Sequence, residues 1–188
     1  MAAEITEELR NRIAAATETV KSELSPPVKW LPPENYHITL RFLGDTPQTA
    51  LPGIEALLRG IGETLSTEEV RAGGAGCFPT CRRPRVIYIG VEDPGSGLSL
   101  WHEALEDALL QELGLPKEQK PFRPHVTAGY SRDHRPGDRE KVQEAVERLG
   151  ALTPVRPEEL QKIVLFRSNL GPKGALHEPL VVFPLKGS

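Results

Sequence analysis

Cysteine is nearly absent from this 188-residue chain, which holds only Cys77 and Cys81. Two thiols cannot staple a small secreted scaffold, and their separation by Phe78, Pro79 and Thr80 does not match the ligand spacings of structural zinc sites. Free thiols and no bound metal or cofactor are therefore expected. No stretch approaches the ~20 apolar residues of a membrane span. Residues 1–30, with Glu4, Glu7, Glu8 and Arg10, contain no apolar block either, so a cytoplasmic protein without membrane contact is expected. A basic excess is missing too: 23 Lys and Arg face 26 Asp and Glu, for a formal net charge of -3. That argues against a wrapper of long nucleic acid and leaves room for a local basic cleft. Arginine does cluster, at Arg82, Arg83 and Arg85 and at Arg132, Arg135 and Arg139, an arrangement that suits phosphate or plain solvated surface.

What the chain does have is enough apolar content, 38%, for one domain with a real core or two small lobes sharing one. From Glu4 to Leu24 the apolar residues Ile5, Leu9, Ile13, Ala16, Val20 and Leu24 recur every three or four positions, which predicts an amphipathic helix ended by Pro26-Pro27. Pro32-Pro33 then forces an extended approach to a strand near 36–43, closed by Gly44-Asp45. A second helical pattern runs through Ile54, Leu57, Leu58 and Ile61. A short strand is expected at Glu68 to Ala72, then a break at Gly73 to Gly76, then a buried strand from Arg85 to Val91. Leu98, Trp101, Leu105, Leu109 and Leu113 predict another helix, stopped by Gly114. A strand near 124–131 follows, then a short helix through Val142, Ala145, Val146 and Leu149 that stops at Gly150. Two last strands, Gln161 to Phe166 and Pro179 to Leu185, flank a glycine-rich connection over 168–174. Strands and helices alternate without regular βαβ spacing, so an α+β fold with mainly antiparallel sheet is expected.

One chemical format occurs twice. Tyr36-His37-Ile38-Thr39-Leu40-Arg41-Phe42-Leu43-Gly44 contains His-x-Thr, and His125-Val126-Thr127 repeats it 88 residues later. In an extended strand alternate side chains share a face, so His37 and Thr39 point one way and Tyr36, Ile38, Leu40 and Phe42 the other. His125 and Thr127 likewise oppose Val126, Ala128 and Tyr130. Each copy follows a proline-bearing approach and precedes a turn and a helix, which suggests two similar lobes, each contributing one strand to a cleft. Histidine titrates near neutral pH, so a pair can act as general acid and general base, and this suits displacement at phosphorus without a metal. Threonine hydroxyls one pleat away can donate to non-bridging phosphate oxygens. Paired histidines also suggest a metal site, but neither copy carries a second ligand at i+2 or i+4. His102, His134 and His177 read as structural or surface residues.

The two motifs resemble the signatures of the two-histidine (2H) phosphoesterase superfamily, within it the RNA 2',3'-cyclic phosphodiesterases, also called 2'-5' RNA ligase-like proteins. Gly76-Cys77-Phe78-Pro79 with Arg82-Arg83-Pro84-Arg85-Val86 resembles the middle hairpin of that family. Leu165-Phe166-Arg167-Ser168-Asn169-Leu170-Gly171-Pro172 with Gly174 resembles its C-terminal one. The resemblance implies a bilobal LigT-like domain spanning residues 1–188, with two mainly antiparallel sheets in pseudo-two-fold arrangement around a central cleft and helices outside. It implies a monomer that opens 2',3'-cyclic phosphate ends of RNA to 2'-phosphates without a metal, alongside reversible 2'-5' ligation. His37 would protonate the leaving 3'-oxygen and His125 activate water, with the two roles interchangeable, while Thr39 and Thr127 hold the phosphate. Two departures stand out. The family begins with an apolar strand, where this chain has only Met1-Ala2-Ala3. The second motif continues Ala128-Gly129-Tyr130-Ser131-Arg132 where the family has Leu-Ala-Arg, which makes Arg132 the candidate phosphate-binding arginine. Two other functions compete: a non-catalytic module binding RNA ends or nucleotides, and a phosphodiesterase for small cyclic nucleotides or ADP-ribose cyclic phosphate.

Overall fold

A computed structural model describes residues 1–132, 135–171 and 174–186. His134 and Pro172, both part of the expectations above, lie outside these residues. The chain opens with β1 (Ala2–Ala3), and then Thr6 caps α1 (Glu7–Leu24) by accepting the Leu9 amide at 3.1 Å. The helix therefore starts after Glu4, since its first residues are taken by a strand and a cap. Next come β2 (Val28–Trp30), β3 (Ile38–Thr39), α2 (Leu51–Thr64), β4 (Glu68–Thr80), β5 (Arg83–Glu92) and α3 (Gly97–Leu113). The chain ends with β6 (His125–Ser131), α4 (Asp138–Leu152), β7 (Arg156–Leu160), β8 (Lys162–Gly171) and β9 (Gly174–Pro184).

All four expected helices form, and the sheet pairings are antiparallel, in the order β7-β4-β5-β6-β3-β1-β8-β9 with β2 on the rest of the β6 edge. The two expected sheets are thus joined into one hydrogen-bonded path, with the very short β3 and β1 at the seam. The apolar first strand that the family resemblance demanded is present in reduced form. Ala2 faces Thr39 and Val164, and Ala3 faces Ile38 and Ile163, so β1 is a central strand two residues long.

Three other elements differ from the sequence expectations. The glycine run at 73–76 does not break β4 but forms a bulge within it. Gly73 and Gly74 carry φ of 155° and 67°, and a Cβ on Gly73 would come within 2.5 Å of the Val155 Cα. The strand β7 pairs with β4 and carries no apolar alternation that could announce it. The glycine-rich connection at 168–174 is mostly strand, since the β8–β9 hairpin stays paired from Lys162↔Pro184 out to Gly171↔Gly174.

One face of the sheet is core. Ile38, Val126, Ile87, Ile89, Ala3 and Ile163 are buried there together with Leu9 and Ile13 of α1, Ile54 of α2, Trp101 of α3 and Val142 of α4 in one apolar cluster. The other face of β6, β3, β1 and β8 carries the polar residues and is open. Among the described residues no helix is long and apolar enough to cross a membrane, and Cys77 and Cys81 are free thiols.

Candidate active site

The site is built by register. The motif strands β3 and β6 run antiparallel with Ile38 opposite Val126. One residue to either side, His37 falls opposite Thr127 and Thr39 opposite His125. Because Ile38 and Val126 are both fully buried, the four flanking side chains share the open face. Directly opposite Cβ atoms in such a pair lie about 5 Å apart and diagonal ones roughly 7–8 Å. The two histidines take one diagonal of a small square and the two threonines the other, which leaves space between the imidazoles for one tetrahedral group. Ala2, opposite Thr39, adds only a methyl group and keeps the floor of the cleft low.

Each histidine has its own wall. On one side His125 meets Phe78 and Tyr88 edge-on, with ring centroids 4.9 and 5.6 Å away, and those two rings stack on each other at 4.3 Å. Gly76 makes room for this wall, since a Cβ there would lie 2.5 Å from the Tyr88 ring. On the other side His37 meets Phe166 at 5.2 Å and His177 at 5.0 Å. Parity explains the second wall: Val164, Phe166 and Ser168 project from β8 to the same face as Ala2, and His177 is paired with Ser168. A cavity of about 460 Å³ opens on this side, lined by His37, Thr39, Phe42, Phe166, Ser168 and His177 among others.

The polar contacts orient both rings. Nδ1 of His125 lies 2.7 Å from the Arg123 carbonyl, so it carries the proton there and Nε2 keeps its lone pair. His37 Nε2 is 3.2 Å from Thr39 Oγ. Burial pushes the His37 pKa from 6.5 down to about 4, helped by the nearby charges of His177 and the Met1 ammonium, while a backbone hydrogen bond at Asn35 opposes it. The charge of His125 also reaches His37 and lowers its pKa further, which places the two motif histidines in one electrostatic site. His125 is itself shifted down by burial, with the Arg123 carbonyl pulling the other way.

Both motifs lose their expected parity just after threonine. Phe42 was expected beside Leu40 in the core, yet it is 67% exposed; Tyr130, expected with Ala128, is 44% exposed. In the first copy the amides of Leu40 and Arg41 both donate to the Met1 carbonyl, at 3.0 and 3.1 Å, which is the bonding pattern of a bulge. Arg41 is thereby turned inward, where Glu106 and Glu118 bind it at 2.7 and 3.0 Å. In the second copy Ile87 faces Gly129 while Tyr88 faces Thr127, so Ala128 is the inserted residue. Each bulge reverses the alternation, and the aromatic three residues past each threonine swings outward.

The other expectations sort by place. His102 is structural, with Nδ1 2.8 Å from the Leu40 carbonyl and its ring stacked on Phe122 at 4.4 Å. His177, read from sequence as a structural or surface residue, lines the cleft instead. The structure does not bring Arg132 to the histidines. Its amide bonds the Pro27 carbonyl beyond the end of β6, five residues from Thr127, or about 16 Å along an extended chain. Arg82, Arg83, Arg85, Arg135 and Arg139 are exposed and do not line the cavity. Sequence reasoning missed Phe78, Tyr88, Phe166 and His177. Alternation with Ile87 and Ile89 was enough to find Tyr88, whereas His177 is placed by hairpin register across a shift between Leu165 and Phe166.

Comparison with known proteins points to the same fold. Over 185 residues the chain is 31% identical to the RNA 2',3'-cyclic phosphodiesterase of Methanothermobacter thermautotrophicus, covering 98% of this chain and 97% of that one. The crystal structure of TT0787 from Thermus thermophilus matches with a TM-score of 0.79 at 28% identity, over 99% of this chain and 96% of that one. E. coli LigT, crystallised with 3'-AMP, shares the fold with a TM-score of 0.70 at 20% identity, over 98% and 95% of the two chains. Residues 4–169 match the 2'-5' RNA ligase superfamily, and with both His-x-Thr motifs on one open face the chain belongs to that superfamily of two-histidine phosphoesterases.

Proposed function

We propose that this protein is an RNA 2',3'-cyclic phosphodiesterase that opens the cyclic phosphate at an RNA end to a 2'-phosphomonoester by acid–base catalysis between His37 and His125. The observation that carries the reading is the Ile38–Val126 register, which sets two imidazoles and two hydroxyls around a space for one phosphate. The name shared by the curated relatives supports the substrate. With β1 in place, the absent-strand argument for a non-catalytic binding module is gone.

The electrostatics support the reverse of the direction that the family resemblance implies. His37 is the more firmly neutral ring, since its pKa is pressed to about 4 by burial and neighbouring charge. It serves as the base: it takes a proton from water, whose oxygen attacks phosphorus. His125, held through Nδ1, carries a second proton on Nε2 when the anionic phosphate is bound and gives it to the leaving 3'-oxygen as the P–O3' bond breaks. One water is consumed, and the proton taken up by His37 restores the pair when it returns to His125 through solvent. Thr39 and Thr127 donate to the non-bridging oxygens as charge builds there. The exposed ring of Phe42, on the rim of the same cavity, gives the terminal base a face to stack on. Arg132 has no part in this scheme. The same reading takes the protein to be a cytoplasmic monomer with two lobes around one core.

The test is an oligoribonucleotide ending in 2',3'-cyclic phosphate, incubated with the protein in EDTA. A 2'-monophosphate product is expected, and His37→Ala or His125→Ala should each lower kcat/KM by at least about a thousandfold. Loss of turnover in EDTA, a 3'-monophosphate product, or indifference to both substitutions would overturn the reading.

A further inference from the structure

The two walls differ in one chemically decisive way: the wall of His125 is a phenyl and a phenol ring, neither of which changes charge near neutral pH, whereas half of the wall of His37 is a third imidazole. His177 is not a loop residue resting there by accident. Its Nδ1 is 3.1 Å from the Ser168 hydroxyl across the hairpin, and its amide donates to the Asn35 side-chain oxygen at 3.3 Å. Asn35 is 2% exposed and lies two residues before His37. The C-terminal hairpin is thus docked onto the turn that leads into His37, and the His177 ring stands at 81° to the His37 ring, 5.0 Å away.

We infer that His177 is a positioning residue for His37: it fixes the ring edge-on and, by taking up the first proton that enters this half of the cleft, keeps His37 in the neutral form a base requires. Two imidazolium ions at this separation repel, so whichever ring is protonated first holds the other neutral. His177 is the less buried of the two, which favours its taking the proton first; burial and the neighbouring Met1 amino group lower its pKa, and its charge in turn lowers that of His37. Its neighbours include His37 just before β3, the buried Met1 amino group, whose pKa burial lowers from 8.0 to about 5, Phe166 and Ser168 from β8, and Asn35 from the turn before β3. Glu178 and Arg167 are register partners in the hairpin. Asp45, Arg41 and Arg167 line the same cavity as the two rings, and the shifts of both rings come from burial and from their other neighbours. The inference rests on the acid–base reading above and adds the residue that sets its working pH range.

The experiment is the pH dependence of kcat/KM for wild type, His177→Phe and His177→Gln, together with NMR titration of the histidine ring protons in the same proteins without substrate. Phenylalanine rebuilds the apolar wall of the His125 side; glutamine keeps a partner for Ser168. Both variants should raise the His37 titration midpoint and move the acid limb of kcat/KM up by about half a pH unit, the size of one charge at 5.0 Å in a water-like dielectric. In wild type, His177 should titrate at higher pH than His37. A purely structural role would lower activity by the same factor at every pH and leave the limb in place, and that result would overturn the proposal. So would a wild-type titration in which His37 is protonated first. Failure of the function reading looks different: no turnover at any pH, with the NMR shift still present.

Discussion

The two halves of the cleft make an instructive comparison, because they start from one motif and end in different environments. Each places His-x-Thr on an open face, each has a bulge directly after the threonine, and each throws an aromatic outward three residues later, Phe42 in one and Tyr130 in the other. The neighbours then diverge. Phe78 and Tyr88 give His125 a wall that carries no charge near neutral pH. Phe166 and His177 give His37 a wall that can carry its own charge, beside a cavity of about 460 Å³. Symmetry of backbone supplies a pair of imidazoles, and asymmetry of their neighbours makes one a better base than the other. In a fully symmetric site the two rings would share a single proton affinity, and nothing would assign direction.

Acid stability breaks the comparison most strongly. His37, His125 and His177 are all depressed below 6.5, so the unfolded chain binds protons more readily than the folded one. The stability they contribute is complete above about pH 6.5 and is lost as the pH falls toward 4. His37 accounts for on the order of 3 kcal/mol of that loss. Denaturant unfolding at pH 7 and pH 4.5 should show a smaller acid loss in His37→Gln than in wild type, and an intermediate one in His125→Gln. Equal slopes for the two variants would erase the asymmetry on which the direction of catalysis rests.

A smaller effect sharpens it from the other side. Gly76→Ala drives a methyl group against the Tyr88 ring, so the stacked wall behind His125 must open. A stability loss of about 2 kcal/mol is expected from overpacking. The His125 ring resonances should shift while those of His37 and His177 stay put. Movement of all three would mean that the walls are not independent.

How much of this was legible in the sequence follows from where alternation holds. Up to Thr39 and Thr127 the period of two is intact, so Tyr36, Ile38 and Val126 were correctly placed in the core and the four site residues on the other face. Beyond those threonines alternation fails, since two amides share the Met1 carbonyl in one copy and Ala128 is inserted in the other. Neither event leaves a mark on residue type, and Phe42 and Tyr130 were misplaced as a result. The strand at Ala2–Ala3 was missed because two alanines show no pattern; its neighbours on both edges define it. Gly73 and the glycines around 171–174 were read as breaks, yet backbone that can approach closely or bend serves a bulge and a hairpin end equally well. The family resemblance pointed to the hairpins that hold Phe78 and Phe166, and only register revealed that His177 stands beside His37.

The claim that His37 and His125 work as one unit across a single phosphate is tested most directly by a double-mutant cycle on the cyclic-phosphate substrate. Residues that act together are grossly non-additive. Removing the second histidine from a chain already lacking the first should therefore cost little more, and the double variant His37→Ala/His125→Ala should turn over about as slowly as the worse single one. Losses that multiply, so that the double variant falls by the product of the two single effects, would contradict it.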